Sequence, residues 1–242
     1  MSTTPAGIAV VTGASGGIGR ATARALAARG MSVCVTGRDV GRLQDVAKEI
    51  GPLAPQVLVH SADLATDEGI RGLAARVAAD ARRIDVLVHA AGTIRLGNIE
   101  SAGWGDFDEQ YRANLRAPFL LTKALLPMLK ETRGQVVFVN SSAGLVAGAD
   151  NTLYAACKHA LRSVAGSIRD HVNPYGIRVI SVFPGRTATA MQETLHQFEG
   201  RRYQAAELVQ PDDIAELILG ALIMSRTAEV TDVMVRPMKK PT

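Results

Sequence analysis

Seven short apolar runs rich in β-branched residues alternate along this chain with longer Ala-, Leu- and Arg-rich stretches of 3.6-residue periodicity. The runs are Ile8–Thr12, Ser32–Thr36, Gln56–His60, Val86–His89, Gln135–Asn140, Arg178–Phe183 and Glu229–Val235. The helical stretches are Gly17–Arg29, Val40–Ile50, Asp67–Asp80, Ala102–Lys130, Thr152–Val172 and Pro211–Met224. Strands that are apolar throughout must be covered on both faces, and strands separated by helices must run parallel. The pattern therefore predicts an α/β fold: one doubly wound, Rossmann-type domain over residues 1–242, with a seven-stranded parallel sheet and helices on both faces. Aromatic residues make up only 4% of the chain, which excludes an aromatic-rich β-sandwich. The stretch from Pro184 to Gln210 has no clear period, and residues 186–210 fall where a substrate lid would sit.

Several function classes drop out early. The net charge of +4 comes from 27 basic and 23 acidic residues spread along the chain, too diffuse for a nucleic-acid surface. Cys34 and Cys157 have no CxxC or Cys/His spacing, and the five histidines show no metal pattern, so neither disulfide nor metal is expected. No stretch approaches the roughly 18 apolar residues of a membrane span, and Met1–Gly13 lacks the basic start of a secretion signal. A cytoplasmic protein is expected.

The first strand runs directly into Thr12-Gly13-Ala14-Ser15-Gly16-Gly17-Ile18-Gly19, and a helix follows. Glycines in such a turn let the backbone approach a pyrophosphate, whose charge is met by the amides at the helix start. The spacing G-x-x-x-G-x-G differs from the commoner G-x-G-x-x-G of dinucleotide folds, so other residues must decide the reading.

Those residues resemble the short-chain dehydrogenase/reductase family over about residues 7 to 236. Beyond the T-G-x-x-x-G-x-G turn, Asp63-Leu64 is similar to the family's adenine-contacting pair, and His89-Ala90-Ala91-Gly92 stands in place of its Asn-Asn-Ala-Gly. Asn114, Ser141, the Tyr-x-x-x-Lys of Tyr154 and Lys158, and Pro184-Gly185 complete the pattern. The resemblance implies an oxidoreductase that binds a nicotinamide dinucleotide through Gly13, Ser15, Gly17, Ile18, Gly19, Asp63, Leu64, Ala91, Gly92, Tyr154, Lys158, Pro184, Gly185, Thr187 and Thr189. His89 and Ala90 depart from it, so the tie that an asparagine makes between the central strands must be made differently. The family's Gly-rich C-terminal signature is also absent.

Tyr154 and Lys158, four apart in a helical stretch, share one face. A phenol ordinarily loses its proton near pH ~10, and a neighbouring ammonium eases that loss. The resemblance thus implies Tyr154 as general acid and base, Lys158 as its electrostatic partner and ribose ligand, Ser141 as donor to the reacting oxygen, and Asn114 as anchor of a water that relays protons. Ser142 is the rival of Ser141; counting back from Tyr154 favours Ser141.

At the end of the second strand, Gly37 occupies the position where an NAD-selective site places an acid, and Arg38 follows. A guanidinium suits a 2′-phosphate, which favours NADP(H) over NAD(H). Asp39 is read as the N-cap of the next helix.

The leading reading is hydride transfer between NADP(H) and a small carbonyl or secondary alcohol. Its alternatives are a non-catalytic dinucleotide sensor on the same fold and a sugar-nucleotide epimerase or dehydratase, for whose substrate domain 242 residues leave no room. Arg95 and Arg186 follow strands four and six, where an anionic substrate could meet them. Apolar residues Leu115, Phe119, Leu120, Leu125, Leu126, Leu161, Val164 and Ile168 on two long helices suggest a homodimer or homotetramer.

Overall fold

The computed structural model describes residues 7–239; the ends of the expected domain, and residues 1–6 of the segment expected to carry no targeting signal, lie outside them. Seven parallel strands form one sheet in the order β3-β2-β1-β4-β5-β6-β7. They are β1 (Ile8–Thr12), β2 (Ser32–Gly37), β3 (Val57–Ser61), β4 (Val86–His89), β5 (Gln135–Val139), β6 (Arg178–Pro184) and β7 (Asp232–Val235). The strand period of two sorts neighbouring side chains onto opposite faces. Ala9, Val11, Val33, Val35, Val86, Val88, Val137 and Ile180 join one core, under α1 (Gly17–Ala28), α2 (Val40–Ile50) and α8 (Pro211–Leu222). Val10, Cys34, Leu87, Val136, Phe138 and Val179 join the other, under α3 (Asp67–Asp80), α5 (Ala117–Thr132) and α6 (Thr152–Val172). The doubly wound arrangement is thus the observed one. The chain reverses winding between β1 and β4, which opens the crevice at the carboxyl ends of these strands.

Three elements differ from the sequence pattern. The stretch expected as one helix over 102–130 is α4 (Trp104–Tyr111), a π-helical turn at Arg112–Arg116, and then α5. A π turn inserts one residue without breaking the run of helical residues, so periodicity does not reveal it. The stretch left irregular between β6 and α8 contains α7 (Ala190–Phe198), capped by the Thr189 hydroxyl accepting from the Gln192 amide. Its flanks are joined by a bridge between Thr187 and Val209. The last strand begins at Asp232 rather than at residue 229. Glu229 is occupied as a side-chain acceptor for the Val179 amide at 2.7 Å.

At the end of the sheet away from the crevice, Arg178 is buried and bonds the carbonyls of Leu222, Met224, Ser225 and Ala228 and the side chain of Gln135. One guanidinium thereby satisfies the orphan carbonyls after α8 and fixes that helix to the sheet.

Candidate active site

The central strands are tied by Thr12, whose hydroxyl accepts from the amides of both Ala90 and Ala91 at 3.1 Å. This tie replaces the one expected of an asparagine. His89 instead turns into the core, stacks on Phe138 at 5.0 Å and bonds the Thr122 hydroxyl through Nε2 at 2.8 Å. Complete burial pushes its pKa down to about 3, so it is a neutral structural residue. Gly13 has a positive φ of 66°, and a Cβ there would lie 2.7 Å from the Ala91 backbone. Glycine is therefore required where the first turn passes Ala90 and Ala91.

Beyond β5, the buried Asn140 works at both ends of its amide. Oδ1 accepts from the Ser141 amide at 2.9 Å and Nδ2 donates to the Lys158 carbonyl at 3.1 Å. It thereby locks the serine loop to the middle of α6. Ser141 caps the short 3₁₀ turn Ser142–Gly144, its Oγ accepting from the Ala143 amide at 3.1 Å. With one lone pair so occupied, the hydroxyl proton is free to donate elsewhere.

Tyr154 lines the same cleft as Ser141. Burial pushes its phenol up to about 12, with the Ser141 hydroxyl pulling against that rise. The ammonium of Lys158 is buried, 5.7 Å from the Tyr154 ring centroid, and donates to the Val139 carbonyl at 3.0 Å. Burial lowers it to about 8. Tyr154 is thus a neutral acid at neutral pH. Cys157 is buried, and burial raises its thiol, in keeping with a core residue.

Asn114 lies in the π turn, buried, and spends its side chain on one residue. Oδ1 accepts from the Thr93 amide at 3.0 Å and Nδ2 donates to the Thr93 carbonyl at 2.8 Å. Its side-chain amide clamps the loop after β4, whose Ile94 and Leu96 wall the cleft. A π turn at a functional site is a recurring association.

The cleft, of about 220 Å³, is bounded by Ile18 of the glycine turn, Asn140, Ser141 and Ser142 after β5, Pro184–Thr187 after β6, and Thr189, Met191, Gln192, Leu195 and Glu199 on the α7 segment. Seven of the expected site residues, Ile18, Ser141, Tyr154, Pro184, Gly185, Thr187 and Thr189, therefore line it. Thr187 and Thr189 are there, but with hydroxyls already engaged: Thr187 donates to the Gly185 carbonyl at 3.0 Å and Thr189 caps α7. A Cβ on Gly17 would meet the Thr189 methyl at 3.0 Å, so the α7 segment already rests on the glycine turn. Arg186 pairs with Glu199 at 2.8 Å. Arg95 forms two 3.1 Å bonds to Glu109 and is not part of the cleft wall.

Farther along the crevice, Asp39 caps α2 by accepting from the Arg42 amide at 3.1 Å, as the sequence suggests. Arg38 beside it is exposed. Asp63 is also exposed and accepts from the Ala65 amide at 3.0 Å, with Leu64 nearly buried behind it. Sequence reasoning missed Asn140, Gly144 and Gln192. The Asn-Ser-Ser-Ala-Gly run after β5 carries a signal for the first two, since a polar cluster at a strand end requires partners.

No metal-binding cluster of His, Cys, Asp and Glu occurs among the described residues, and no helix there is long and apolar enough to cross a membrane.

Comparison with known proteins agrees with this geometry. A family model described as short chain dehydrogenase matches residues 7–200. An uncharacterized oxidoreductase of Staphylococcus saprophyticus is 31% identical over 96% of this chain and 97% of its own length. An uncharacterized short-chain type dehydrogenase/reductase of Sinorhizobium fredii is 33% identical over 95% and 91%. Among solved structures, an alcohol dehydrogenase from Thermococcus sibiricus complexed with 5-hydroxy-NADP superposes with a TM-score of 0.88 at 27% identity, covering 98% of this chain and 99% of that one. A metagenomic short-chain oxidoreductase in complex with NADP gives a TM-score of 0.83 at 30% identity, covering 99% and 100%. With a family model spanning most of the chain, and with Ser141 and Tyr154 lining one cleft, this chain belongs to the short chain dehydrogenase family.

Proposed function

We propose that the chain transfers hydride between NADP(H) and a small carbonyl or secondary-alcohol substrate, with Tyr154 as general acid and base. The observation that carries this reading is the meeting of Tyr154 and Ser141 in one cleft with Ile18 of the glycine turn, Lys158 held one helical turn behind.

The fit of the cofactor rests on three features. Gly16, the N-cap of α1, offers no side-chain cap, and the space about it is open, which leaves the first amides of α1 for a pyrophosphate. Gly37 stands where an acidic side chain would accept from the ribose 2′-hydroxyl, so this residue brings no carboxylate there. Asp39 is spent on its helix, and the exposed Arg38 is left to meet a 2′-phosphate. The similar structures that hold NADP or its 5-hydroxy derivative support the same choice.

In this reading Gly13, Ser15, Gly17, Ile18 and Gly19 hold the pyrophosphate and Asp63 and Leu64 the adenine. Ala91, Gly92, Pro184, Gly185, Thr187 and Thr189 flank the nicotinamide, and Tyr154 and Lys158 take its ribose. The bound nicotinamide supplies or accepts the hydride. In the direction of reduction, Tyr154 gives its phenolic proton to the substrate oxygen while Ser141 donates a hydrogen bond to that oxygen. The raised phenol keeps the acid loaded at neutral pH. With its pKa near 8, Lys158 is charged at pH 7 by roughly ten to one and steadies the phenolate left behind. Asn114 fixes the wall of Ile94 and Leu96 and, in this reading, anchors the water that relays protons to Lys158.

A homo-oligomer, dimer or tetramer, completes the proposal. Leu125 and Leu161 are buried in the chain's own core, but Phe107, Tyr111 and Phe119 on α4 and α5 stay 40% to 48% exposed and supply the apolar face that a second copy would cover. Incubating the protein with NADPH and a panel of aldehydes and ketones, while following cofactor absorbance, tests the reading; oxidation of NADPH that depends on a carbonyl substrate is expected, and its absence across the panel would refute it.

A further inference from the structure

Two arginines follow strands at the crevice, and they are held differently. Arg95 lies outside the cleft wall and meets Glu109 with two nitrogens, Nε and Nη2, each on its own carboxylate oxygen at 3.1 Å. Such a fork fixes the guanidinium in place. Arg186 lines the cleft and meets both oxygens of Glu199 through Nη2, at 2.8 Å. Its Nη1 is buried and has no hydrogen-bond partner among the described residues.

A guanidinium keeps its protons at any working pH, so Nη1 is a charged donor without an acceptor, and leaving it so is costlier than leaving a neutral group unpaired. The contact with Glu199 through one nitrogen is a pivot. About it the guanidinium can turn and bring Nη1 to an acceptor in the cleft while Nη2 keeps its carboxylate, a movement that a two-nitrogen fork would forbid.

The local charge favours an anion as that acceptor. Burial raises the Glu199 carboxyl, but the hydrogen bond and charge of Arg186 and the charge of Arg201 outweigh it, so Glu199 is an anion at neutral pH. Arg201 reaches the same carboxylate, its Nε 3.6 Å from Oε2. Two guanidinium groups thus face one carboxylate, which leaves one positive charge in excess. Among the described residues that line the cleft, Arg186 and Glu199 alone carry charge; Gln192 is a neutral amide, and Ile94, Leu96, Met191 and Leu195 are apolar. A small anion in the cleft therefore meets one cation with a donor to offer, and apolar walls strengthen their attraction.

We infer that Arg186 is a specificity-determining residue whose Nη1 donates to a carboxylate of the substrate, so that the preferred substrate is a small oxoacid, or in the reverse direction a hydroxyacid. This rests on the proposed hydride-transfer reading of the same cleft. The ketone takes the hydride from NADPH and the proton from Tyr154 and becomes the alcohol; the carboxylate is unchanged and serves to orient it.

The test uses the full chain with NADPH and three oxoacids, pyruvate, acetoacetate and levulinate, in which no, one and two methylenes separate ketone from carboxylate, each beside its own ethyl ester. In the unaltered protein the best oxoacid is expected to exceed its ester in kcat/KM by about tenfold to a hundredfold, the worth of a hydrogen bond to a charged group. Arg186→Gln should remove that preference by lowering kcat/KM for the acid, while the ester and the NADPH dissociation constant change less than about threefold. A merely structural defect would not produce this split. Esters turned over as well as all three acids would overturn the inference without any variant. Equal losses on acid and ester in Arg186→Gln would overturn it too, as would weakened NADPH binding with the acid preference intact, which would make Arg186 a cofactor ligand. Each of these outcomes leaves hydride transfer standing. Turnover of none of the six compounds would overturn the inference, and failure of the wider panel as well would remove the reading it rests on.

Discussion

Gly144 offers a sharp test of how the site is held together. A methyl group placed there would come 2.5 Å from the Asn140 Oδ1, 2.9 Å from the Lys158 carbonyl oxygen and 3.1 Å from its carbon. Two of these three atoms are helix backbone, so Gly144→Ala cannot be absorbed by one rotamer change. Either Asn140 abandons the Ser141 amide or the turn of α6 carrying Lys158 moves outward by several tenths of an ångström. Overpacking of this kind costs about 1–3 kcal/mol, and a buried amide left unpaired adds about 1–3 kcal/mol. For a chain of this size each kcal/mol lowers Tm by roughly 2–4 °C, so a fall of roughly 4 °C or more is expected. Because Ser141, Tyr154 and Lys158 all depend on the same junction, displacement should also lower kcat by about tenfold to a hundredfold. Thermal unfolding together with steady-state turnover measures both. Gly144→Ala with unchanged Tm and kcat would show that the Asn140 junction does not position the site, and would refute the reasoning.

Three further outcomes follow from the geometry. Arg38→Ala should weaken NADPH binding far more than NADH binding, because the guanidinium meets only the extra phosphate; equal losses in fluorescence titrations would remove Arg38 as the selectivity residue. His89, held neutral with a folded pKa of about 3 against an ordinary 6.5, takes up its proton more readily in the unfolded chain, so stability present above pH 6.5 is lost as pH falls toward 3. At pH 5.5 the loss should be roughly 1 kcal/mol in urea titrations, and His89→Asn should flatten that slope; an unchanged slope would contradict it. Light scattering should give a multiple of the 25.6 kDa chain mass, whereas an active monomer at micromolar concentration would contradict the proposed assembly.

How much of this could be read from the residues varies with the range of the interaction. The strands were legible because each apolar run is short, β-branched and bounded by turn residues, and the Tyr154–Lys158 pair because four residues make one helical turn. Asp39 as a cap was legible for the same local reason. The π turn at Asn114 was not: its helical residues look like any others, and the turn is fixed by a bond to Thr93, 21 residues away. Helix α7 escaped notice because its nine residues, Ala190–Phe198, are too few for the helical spacing of Met191, Leu195 and Phe198 to stand out, and its start is fastened by Thr189 and the Thr187–Val209 bridge. Asn140 joins the adjacent Ser141 amide to the Lys158 carbonyl 18 residues away, a junction that no local pattern announces.

The central claim is that the phenol of Tyr154 is the proton donor to the reacting oxygen, and Tyr154→Phe tests it most directly, since it removes the hydroxyl and almost no volume. With the best carbonyl substrate of the panel, kcat should fall by about a hundredfold or more while NADPH still binds with little change. Turnover retained within a few-fold of the unaltered protein would contradict the assignment.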